Sequence, residues 1–281
     1  MEIIELTSLS SPELAPYARL TEAQLRTASG QQSGEEGGLF IAESLNVVSC
    51  AVAAGYEPCS FLSVKRHVHT VVSAFSECDF AENTPIFTAD EALLEGLTGF
   101  HLSRGILACM KRRRLPSPAE VIKDAARIAV LEGVVDSTNI GAIFRSAAAL
   151  GMEAVLVGSS CCDPLNRRAS RVSMGTVFQV PWAVLPNKTE NRLATDVDFL
   201  HGMGFAAAAM ALDENSVPIS DPAPRVEKKL AVLLGSEGYG LTEETIRSCD
   251  YTVKIPMYNG VDSLNVAAAS AVAFYVLANR Q

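Results

Sequence analysis

The amino-acid sequence predicts an α/β protein built around a mostly parallel β-sheet that is flanked by helices. In the second half of the chain, apolar runs typical of buried strands alternate with segments of helical periodicity. Such alternation favours parallel pairing, because a helix usually connects neighbouring parallel strands. The chain has 281 residues, of which 48% are hydrophobic, and this is enough for one large or two ordinary domains.

The second half carries the clearer pattern of elements. Its predicted strands span 127–135, 154–157, 205–212, 230–234 and 251–255. Its predicted helices span 140–150, 167–174, 189–202, 243–249 and 264–279. Ligands of parallel sheets bind beyond the carboxyl ends of the strands, so we expect a site in the loops that follow these strands.

The first half shows a weaker pattern of the same kind and predicts a smaller α/β domain. Helices are predicted at 11–27 and 43–54, and strands at 60–64, 85–87 and 105–110. Pro116 and Pro118 then disfavour regular structure and indicate a linker. We therefore expect two domains, residues 1–115 and residues 116–281.

The net charge of −9, from 23 basic and 32 acidic side chains, excludes overall basicity as an argument for nucleic-acid binding. A polyanion would have to bind a local basic patch. Two segments qualify, Lys111–Arg114 and the three arginines Arg167, Arg168 and Arg171. Each is also typical of a solvated surface.

The composition predicts neither export nor a membrane segment. The longest apolar stretches are much shorter than the roughly 20 residues that a membrane span needs. The first residues are acidic, unlike a secretory signal, and the seven cysteines have no spacing that indicates a disulfide framework. We expect a soluble cytoplasmic protein.

Common catalytic signatures are missing from the sequence. It contains no Gly-x-x-x-x-Gly-Lys-Ser/Thr, no Gly-x-Gly-x-x-Gly and no Gly-x-Ser-x-Gly. These absences argue against a dinucleotide-dependent oxidoreductase and against a serine hydrolase. His67 and His69 could share one face of a strand, but no third ligand accompanies them, so no metal site is predicted.

The segment after the first strand of the second half contains a conspicuous arginine. Asn139 can cap the helix that follows, and Arg145 lies nearly two turns further along it. A guanidinium among small apolar residues needs a partner, either in a buried ion pair or in a clamp for a bound phosphate or carboxylate. We favour the clamp.

Two further loops combine glycine with polar side chains. In residues 235–241, three glycines surround Glu237, which indicates either close approach to a ligand or a tight turn that caps the next helix. In residues 255–266, an apolar strand ends in a loop that contains proline and glycine. Ser263 can be the N-cap of the following helix, and Asn265 needs a partner for its amide.

Together these segments resemble the three ordered motifs of the SpoU/TrmH family of S-adenosylmethionine-dependent RNA ribose 2′-O-methyltransferases. The matching residues are Asn139-x-Gly141-x-x-x-Arg145, Gly235-x-Glu237-Gly238-x-Gly240, and Ile255-Pro256-Met257 with Ser263-Leu264-Asn265-Val266. Arg171-x-Ser173-x-Gly175-Thr176 resembles the family segment between the first two motifs. The resemblance covers roughly residues 128–279, and three motifs in order are much more specific than any one of them.

The resemblance implies a fold and an assembly. Family members tie the C-terminal part of the sheet into a deep trefoil knot, which ordinary folds avoid. The first half is similar to the family's ribosomal-protein-like substrate-binding domain, mainly at Phe40–Glu43 and Gly105–Ala108. A homodimer with its active site near the subunit interface is also implied.

The resemblance further implies roles for individual residues. S-adenosylmethionine would be held largely by backbone groups, with contacts at Gly235, Ile255 and Leu264. Arg145 would be the catalytic arginine, and Asn139, Glu237, Ser263 and Asn265 would orient it and the ribose. The substrate would be ribosomal or transfer RNA, and the additional N-terminal domain favours ribosomal RNA. A non-catalytic RNA-binding or ribosome assembly factor is the alternative, although the complete motif set argues against it.

Overall fold

The computed structural model describes residues 1–8, 11–18, 20–27, 37–98, 105–186 and 196–278. The chain forms two compact units. The first contains Met1–Arg114 together with Leu165–Phe178, and the second contains Leu115–Pro164 together with Gln179–Gln281. None of the helices in the described ranges is long and apolar enough to cross a membrane.

The first unit is built on a mixed sheet, which has five strands in the described ranges. Its strands are β1 (Ile3–Glu5), β2 (Leu39–Glu43), β3 (Pro58–Val64), β4 (Ile86–Ala89) and β5 (Ile106–Lys111). In the order β1-β4-β3-β5-β2, the first three strands are parallel and β5 is antiparallel to both of its neighbours. Its helices before the return segment are α1 (Ala15–Ala18), α2 (Glu22–Thr27), α3 (Leu45–Ala53), α4 (Val68–Phe75) and α5 (Glu91–Thr98).

The second unit is built on a parallel sheet, which has seven strands in the described part of the chain. Its strands are β6 (Arg127–Leu131), β7 (Ala154–Val157), β8 (Trp182–Val184), β9 (Ala206–Met210), β10 (Val217–Pro218), β11 (Leu230–Leu234) and β12 (Tyr251–Lys254). Every pair in the order β10-β12-β9-β11-β6-β7-β8 is parallel.

Helices cover both faces of this parallel sheet. The helices of the second unit are α6 (Pro118–Ile122), α7 (Ser137–Ala149), α9 (Asp196–Gly202), α10 (Glu243–Ser248) and α11 (Val266–Leu277). Every residue of β6, β7 and β11 is buried, as expected for strands that are covered on two sides. On one face, Ile128 of β6 shares a core with Ile122 of α6 and Leu200 of α9. α7 and α11 pack against each other, α7 also against β7 and α11 against β11.

The predicted α/β class with a mostly parallel sheet is confirmed. β7 and β11 have the predicted bounds, because a buried parallel strand is a continuous apolar run. β8 and β10 were not predicted, since three and two residues carry no periodic signal. Residues 189–195 of the predicted helix 189–202 lie outside the described residues, and the remainder forms α9.

Capping residues shift the bounds of two predicted segments, and a third prediction, of one long helix, is wrong. The expected linker at 115–118 ends in α6, whose N-cap Ser117 and third residue Glu120 form a reciprocal capping box. The helix expected at 43–54 begins at Leu45, because Glu43 ends β2 and Ser44 is the N-cap. The helix expected at 11–27 is a 3₁₀ turn at Pro12–Leu14 followed by α1 and α2.

A buried arginine holds the amino end of β6. Arg127 is 2% exposed and donates to five carbonyl oxygens, including Leu277 O at the end of α11 (3.1 Å) and Glu227 O (2.8 Å). Burial of a guanidinium is costly unless its donors are satisfied, and the carbonyls satisfy them. Arg127 thereby ties the start of the central strand to the C-terminus of α11 and to the chain before β11.

Residues 165–178 return to the first unit and include α8 (Arg167–Val172). The side chain of Glu43 in β2 is 3% exposed and accepts from Arg171 Nη1 at 3.2 and 3.5 Å, with Arg167 Nε at 3.6 Å. Asn46 Nδ2 donates to Met174 O at 2.8 Å. The segment that resembles the family sequence between the first two motifs is therefore anchored inside the first unit by a buried ion pair.

Candidate functional site

The candidate site lies at the carboxyl ends of β6, β9, β11 and β12. The loop after β6 leads into α7, the loop after β11 contains the three glycines, and the loop after β12 leads into α11. All three predicted motif segments therefore reach the same edge of the parallel sheet, where ligands of such sheets bind.

Three of the predicted site residues form a chain of side-chain hydrogen bonds. Asn265 Nδ2 donates to Asn139 Oδ1 at 3.0 Å, and Asn139 Nδ2 donates to Glu237 Oε1 at 2.6 Å. Since the amide of Asn139 accepts on one side and donates on the other, its orientation is determined by both neighbours. One residue from each motif thus takes part in a single network.

Both predicted helix caps near the network are wrong. The N-cap of α7 is Asp136, whose Oδ1 accepts from Thr138 N and Asn139 N at 2.6 and 3.2 Å. The N-cap of α11 is Asn265 rather than Ser263, because Asn265 Oδ1 accepts from Ala267 N at 3.0 Å. Because Asp136 caps α7, the side chain of Asn139 is available to bond Glu237. Asn265 caps α11 with its Oδ1 and donates to Asn139 with its Nδ2.

Arg145 lies on the exposed surface of α7. No hydrogen bond or ion pair of its guanidinium occurs among the described residues, so the buried ion pair considered from the sequence is wrong. The guanidinium is charged and accessible, as a clamp for an anionic ligand requires.

The glycine loop after β11 is closed tightly on itself. Ser236 and Gly240 exchange two backbone hydrogen bonds of 3.0 Å. A Cβ atom on Gly235 would lie 2.1 Å from the carbonyl carbon of Gly240, so only glycine fits at this position. Gly238 has no such neighbour, since a Cβ atom there meets nothing within 4 Å. The loop shape therefore depends on Gly235 and on Gly240, whose φ of 68° favours glycine, but not on Gly238.

Glu132 anchors the glycine loop, a role that the sequence reasoning missed. Its backbone N–H donates to Leu234 O at 2.9 Å, directly before the loop. Its carboxylate accepts from Thr242 N at 2.8 Å and from Thr245 Oγ1 at 2.6 Å, directly after the loop. A carboxylate at the end of a buried strand was the available signal, because such a group needs donors nearby.

A cavity of about 590 Å³ opens between the loops after β9, β11 and β12. Its lining includes backbone of the glycine loop and the apolar side chains of Ile255, Met257 and Leu264. Glu237, Ser263 and Asn265 reach its rim, and all three are exposed. The predicted cofactor-contact residues Gly235, Ile255 and Leu264 therefore line one cavity, next to the hydrogen-bonded network.

The two basic segments lie in the first unit and are only partly accessible. Arg167 and Arg171 pair with Glu43, Arg113 stacks over Tyr56 at 5.4 Å, and Lys111 pairs with Glu57 at 3.1 Å. Arg114 and Arg168 are exposed, and neither side chain has a partner among the described residues. Several cations of the two candidate segments therefore already have partners within the first unit.

Within the described ranges, no group of three or more His, Cys, Asp or Glu side chains lies close enough together to hold a metal ion. His67 ends a 3₁₀ turn and His69 lies in α4. The shared strand face considered for this pair is therefore wrong.

Comparison with known proteins identifies relatives of this site. Residues 126–275 match the model of the SpoU rRNA Methylase family. An uncharacterized tRNA/rRNA methyltransferase of Mycobacterium tuberculosis is 39% identical over 238 residues, covering 84% of this chain and 80% of the relative. A 23S rRNA (guanosine-2'-O-)-methyltransferase of Bordetella pertussis is 31% identical over 188 residues, covering 65% and 73%.

A solved structure shares the fold. The AdoMet-bound rRNA methyltransferase from Sinorhizobium meliloti superposes with a TM-score of 0.75, at 21% identity, over 98% of this chain and 97% of that chain. This similarity extends over both units of the chain, beyond the residues that the family model matches.

Proposed function

Because the chain belongs to the SpoU rRNA Methylase family, we propose that it transfers a methyl group from S-adenosylmethionine to a ribose 2′-hydroxyl of ribosomal RNA. The observation that carries this proposal is the hydrogen-bonded chain from Asn265 through Asn139 to Glu237 at the rim of the cavity. The family match and the methyltransferase names of the relatives favour an enzyme over a non-catalytic assembly factor.

The cavity suits the proposed cofactor in size and in chemistry. Its volume of about 590 Å³ lies in the range of small-molecule sites. Peptide groups of the glycine loop can recognise the edge of adenine, while Ile255 and Leu264 cover apolar surface. S-adenosylmethionine, when bound, supplies a methyl group that its sulfonium has already activated. The protein then has to position the ribose and stabilise charge.

The network at the rim is suited to hold the ribose. Asn139 restrains Glu237 through Oε1, and within the described residues Oε2 makes no hydrogen bond. In this proposal Oε2 accepts a hydrogen bond from the 2′-hydroxyl and orients it for in-line attack. As the methyl group is transferred, the hydroxyl proton passes through this exposed carboxylate to water, and S-adenosylhomocysteine is the leaving group. Arg145 binds the adjacent phosphate and stabilises the developing alkoxide, a role that a permanently protonated guanidinium can perform. Ser263 contributes a further hydroxyl at the rim.

The proposed assembly is a homodimer that uses the outer face of α11. Ala268, Val272 and Tyr275 are exposed at helical spacing on a helix that is apolar on all sides, and Tyr275 is 65% exposed. We expect a second copy of the chain to cover these exposed residues, because they begin close to the rim of the cavity. Val272→Glu is expected to convert the dimer into a monomer by size-exclusion chromatography with light scattering.

We also propose the trefoil knot and an RNA-binding role for the first unit. Strand β12 pairs with β9, yet the chain that follows it returns to α11, which packs against β11 on the other side of β9. This return supports a chain that crosses its own path near the glycine loop. Arg114 and Arg168 are the exposed cations that support phosphate contact in the first unit.

Transfer of labelled methyl groups from S-adenosylmethionine to bacterial ribosomal RNA tests the function. The full chain should incorporate label, and alkaline hydrolysis should leave the label in resistant dinucleotides, because a methylated 2′-oxygen cannot attack the adjacent phosphate. Label in mononucleotides would indicate base methylation. No label in the presence of bound cofactor would favour the assembly factor.

A further inference from the structure

Two tyrosine side chains are almost fully exposed to solvent, one on each of two loops that border the cavity. Tyr239 in the glycine loop is 98% exposed, and Tyr258 in the loop after β12 is 81% exposed. Isolated apolar residues on a surface need no explanation, but here two loops that line one cavity each carry an almost fully exposed aromatic ring.

Both rings are presented by closed turns. Tyr239 N–H donates to Ser236 Oγ at 3.1 Å, inside the turn that Ser236 and Gly240 close. Tyr258 O accepts from Val261 N at 3.2 Å, across a turn in which Asn259 and Gly260 have φ values of 59° and 72°. Two left-handed residues in succession are the pattern of a type I′ turn, and Asn-Gly is a residue pair that such turns favour. The turns therefore restrain the backbone from which each ring projects.

Neither loop carries a cation of its own for phosphate, although Lys254 at the end of β12 also lines the cavity. Residues 235–241 and 255–264 contain no lysine or arginine, whereas they contain Glu237 and Asp262. Two carboxylates repel an RNA backbone, but every nucleobase has a π-face that can stack on an aromatic ring. Tyrosine offers such a face without a charge.

We propose that Tyr239 and Tyr258 stack on unpaired bases next to the target nucleotide, so that the substrate is a single-stranded or looped segment of RNA. This inference rests on the proposed methyl transfer. In a continuous duplex, the bases on either side of the target nucleotide stay stacked. For the ribose of that nucleotide to enter the cavity, these flanking bases have to unstack. The two rings replace the stacking that those bases give up.

Substitutions at the two tyrosines test the stacking. Tyr239→Ala with Tyr258→Ala should raise the KM for RNA by about tenfold or more, as expected when a base loses its aromatic partner. The phenylalanine variants should match the wild type, and the leucine variants should behave like alanine, because leucine retains apolar area without a π-face. Calorimetric cofactor affinity should change less than twofold in every variant, and the slope of log affinity against log salt should stay unchanged.

A substrate pair completes the test. The wild type should methylate an oligonucleotide that presents the target in a loop at least tenfold faster than the same sequence in a full duplex. Equal rates, or alanine variants with the wild-type KM, would overturn the stacking while methyl transfer itself stands. If the alanine variants became monomeric in sedimentation, the two rings would lie in the contact with a second copy of the chain. This result would also overturn the proposed stacking. A wild type that methylates no RNA would refute the proposed function instead.

Discussion

The side chains of Asn139 and Glu237 lie 98 residues apart in sequence and are joined by a hydrogen bond of 2.6 Å. This bond connects the first turn of α7 to the glycine loop after β11. Because Glu237 is exposed, water would compete for its carboxylate if Asn139 did not hold it. The restraint places a charged group at the cavity rim in one position, which is what a reaction that depends on alignment needs.

Exchange of Asn139 for aspartate tests this restraint. In Asn139→Asp, a carboxylate oxygen replaces the Nδ2 donor, so the hydrogen bond to Glu237 is lost. We expect kcat to fall about tenfold or more, because the carboxylate of Glu237 is no longer held in one position. Single-turnover rates of the wild type and the variant measure this. Near-wild-type turnover of Asn139→Asp would contradict the restraint.

Arg145→Ala should abolish most methyl transfer without lowering the affinity for the cofactor. Removal of one group that stabilises developing charge typically costs about 10²- to 10³-fold in kcat. The side chain is exposed and makes no hydrogen bond or ion pair among the described residues, so the unfolding midpoint should change little. Arg145→Lys should recover only part of the rate, because lysine lacks the planar fork. Near-normal turnover of the alanine variant would remove Arg145 from the reaction.

Two glycines of one loop provide a matched pair of variants. Gly235→Ala would place a Cβ atom 2.1 Å from the backbone of Gly240, so the loop must move and cofactor binding should weaken more than tenfold. Gly238→Ala meets nothing within 4 Å and should bind the cofactor as the wild type does. Isothermal titration calorimetry distinguishes the two. Equal affinity of both variants would place the cofactor away from this loop.

Neighbouring arginines of α8 should separate RNA binding from stability. Arg168→Ala should weaken RNA binding and reduce the salt slope by about 0.7, because one phosphate contact with a single strand is lost. Arg171→Ala leaves Glu43, which is 3% exposed, with Arg167 alone. Its free energy of unfolding should fall by about 1–3 kcal/mol, below the figure for a fully buried pair, since Arg171 is 40% exposed. If Arg168→Ala lowered the free energy of unfolding and Arg171→Ala weakened RNA binding instead, the pairing of Arg171 with Glu43 would not be maintained in solution.

Asp250 predicts an acid-dependent loss of stability. Burial raises the pKa of this carboxyl, but hydrogen bonds from Ala207 N–H and His201, with the charge of His201, outweigh burial and leave the pKa below its usual 3.8. A lowered pKa in the folded state adds stability above the unfolded value, and this contribution disappears as pH falls through the folded value. Asp250→Asn should therefore be less stable than the wild type at pH 7, and the difference should shrink below about pH 4.

Urea unfolding at pH 7, 5 and 3 measures this difference. Asp124→Asn is the control, because the Asp124 side chain is 89% exposed and should have little effect at any of these pH values. A deficit of the Asp250 variant that is the same at pH 3 as at pH 7 would assign it to packing instead of charge.

The sequence predicted the parallel sheet because its buried strands are continuous apolar runs, as β11 illustrates. It also selected Asn139, Glu237 and Asn265, because polar groups at strand ends are conspicuous. It did not predict their partners, since the bonds join residues 98 and 126 positions apart. Capping residues caused the errors at α7 and α11, where several side chains suitable as an N-cap stand close together in the sequence.

The return of residues 165–178 makes the first unit discontinuous in sequence. A gene fragment that ends at residue 114 encodes Glu43 without Arg167 and Arg171, and so carries an uncompensated buried carboxylate. Exchange of the first unit with that of a relative therefore needs more than one crossover point. A chimera must inherit the first 114 residues and the short later segment from the same parent, so the two pieces are expected to have diverged together.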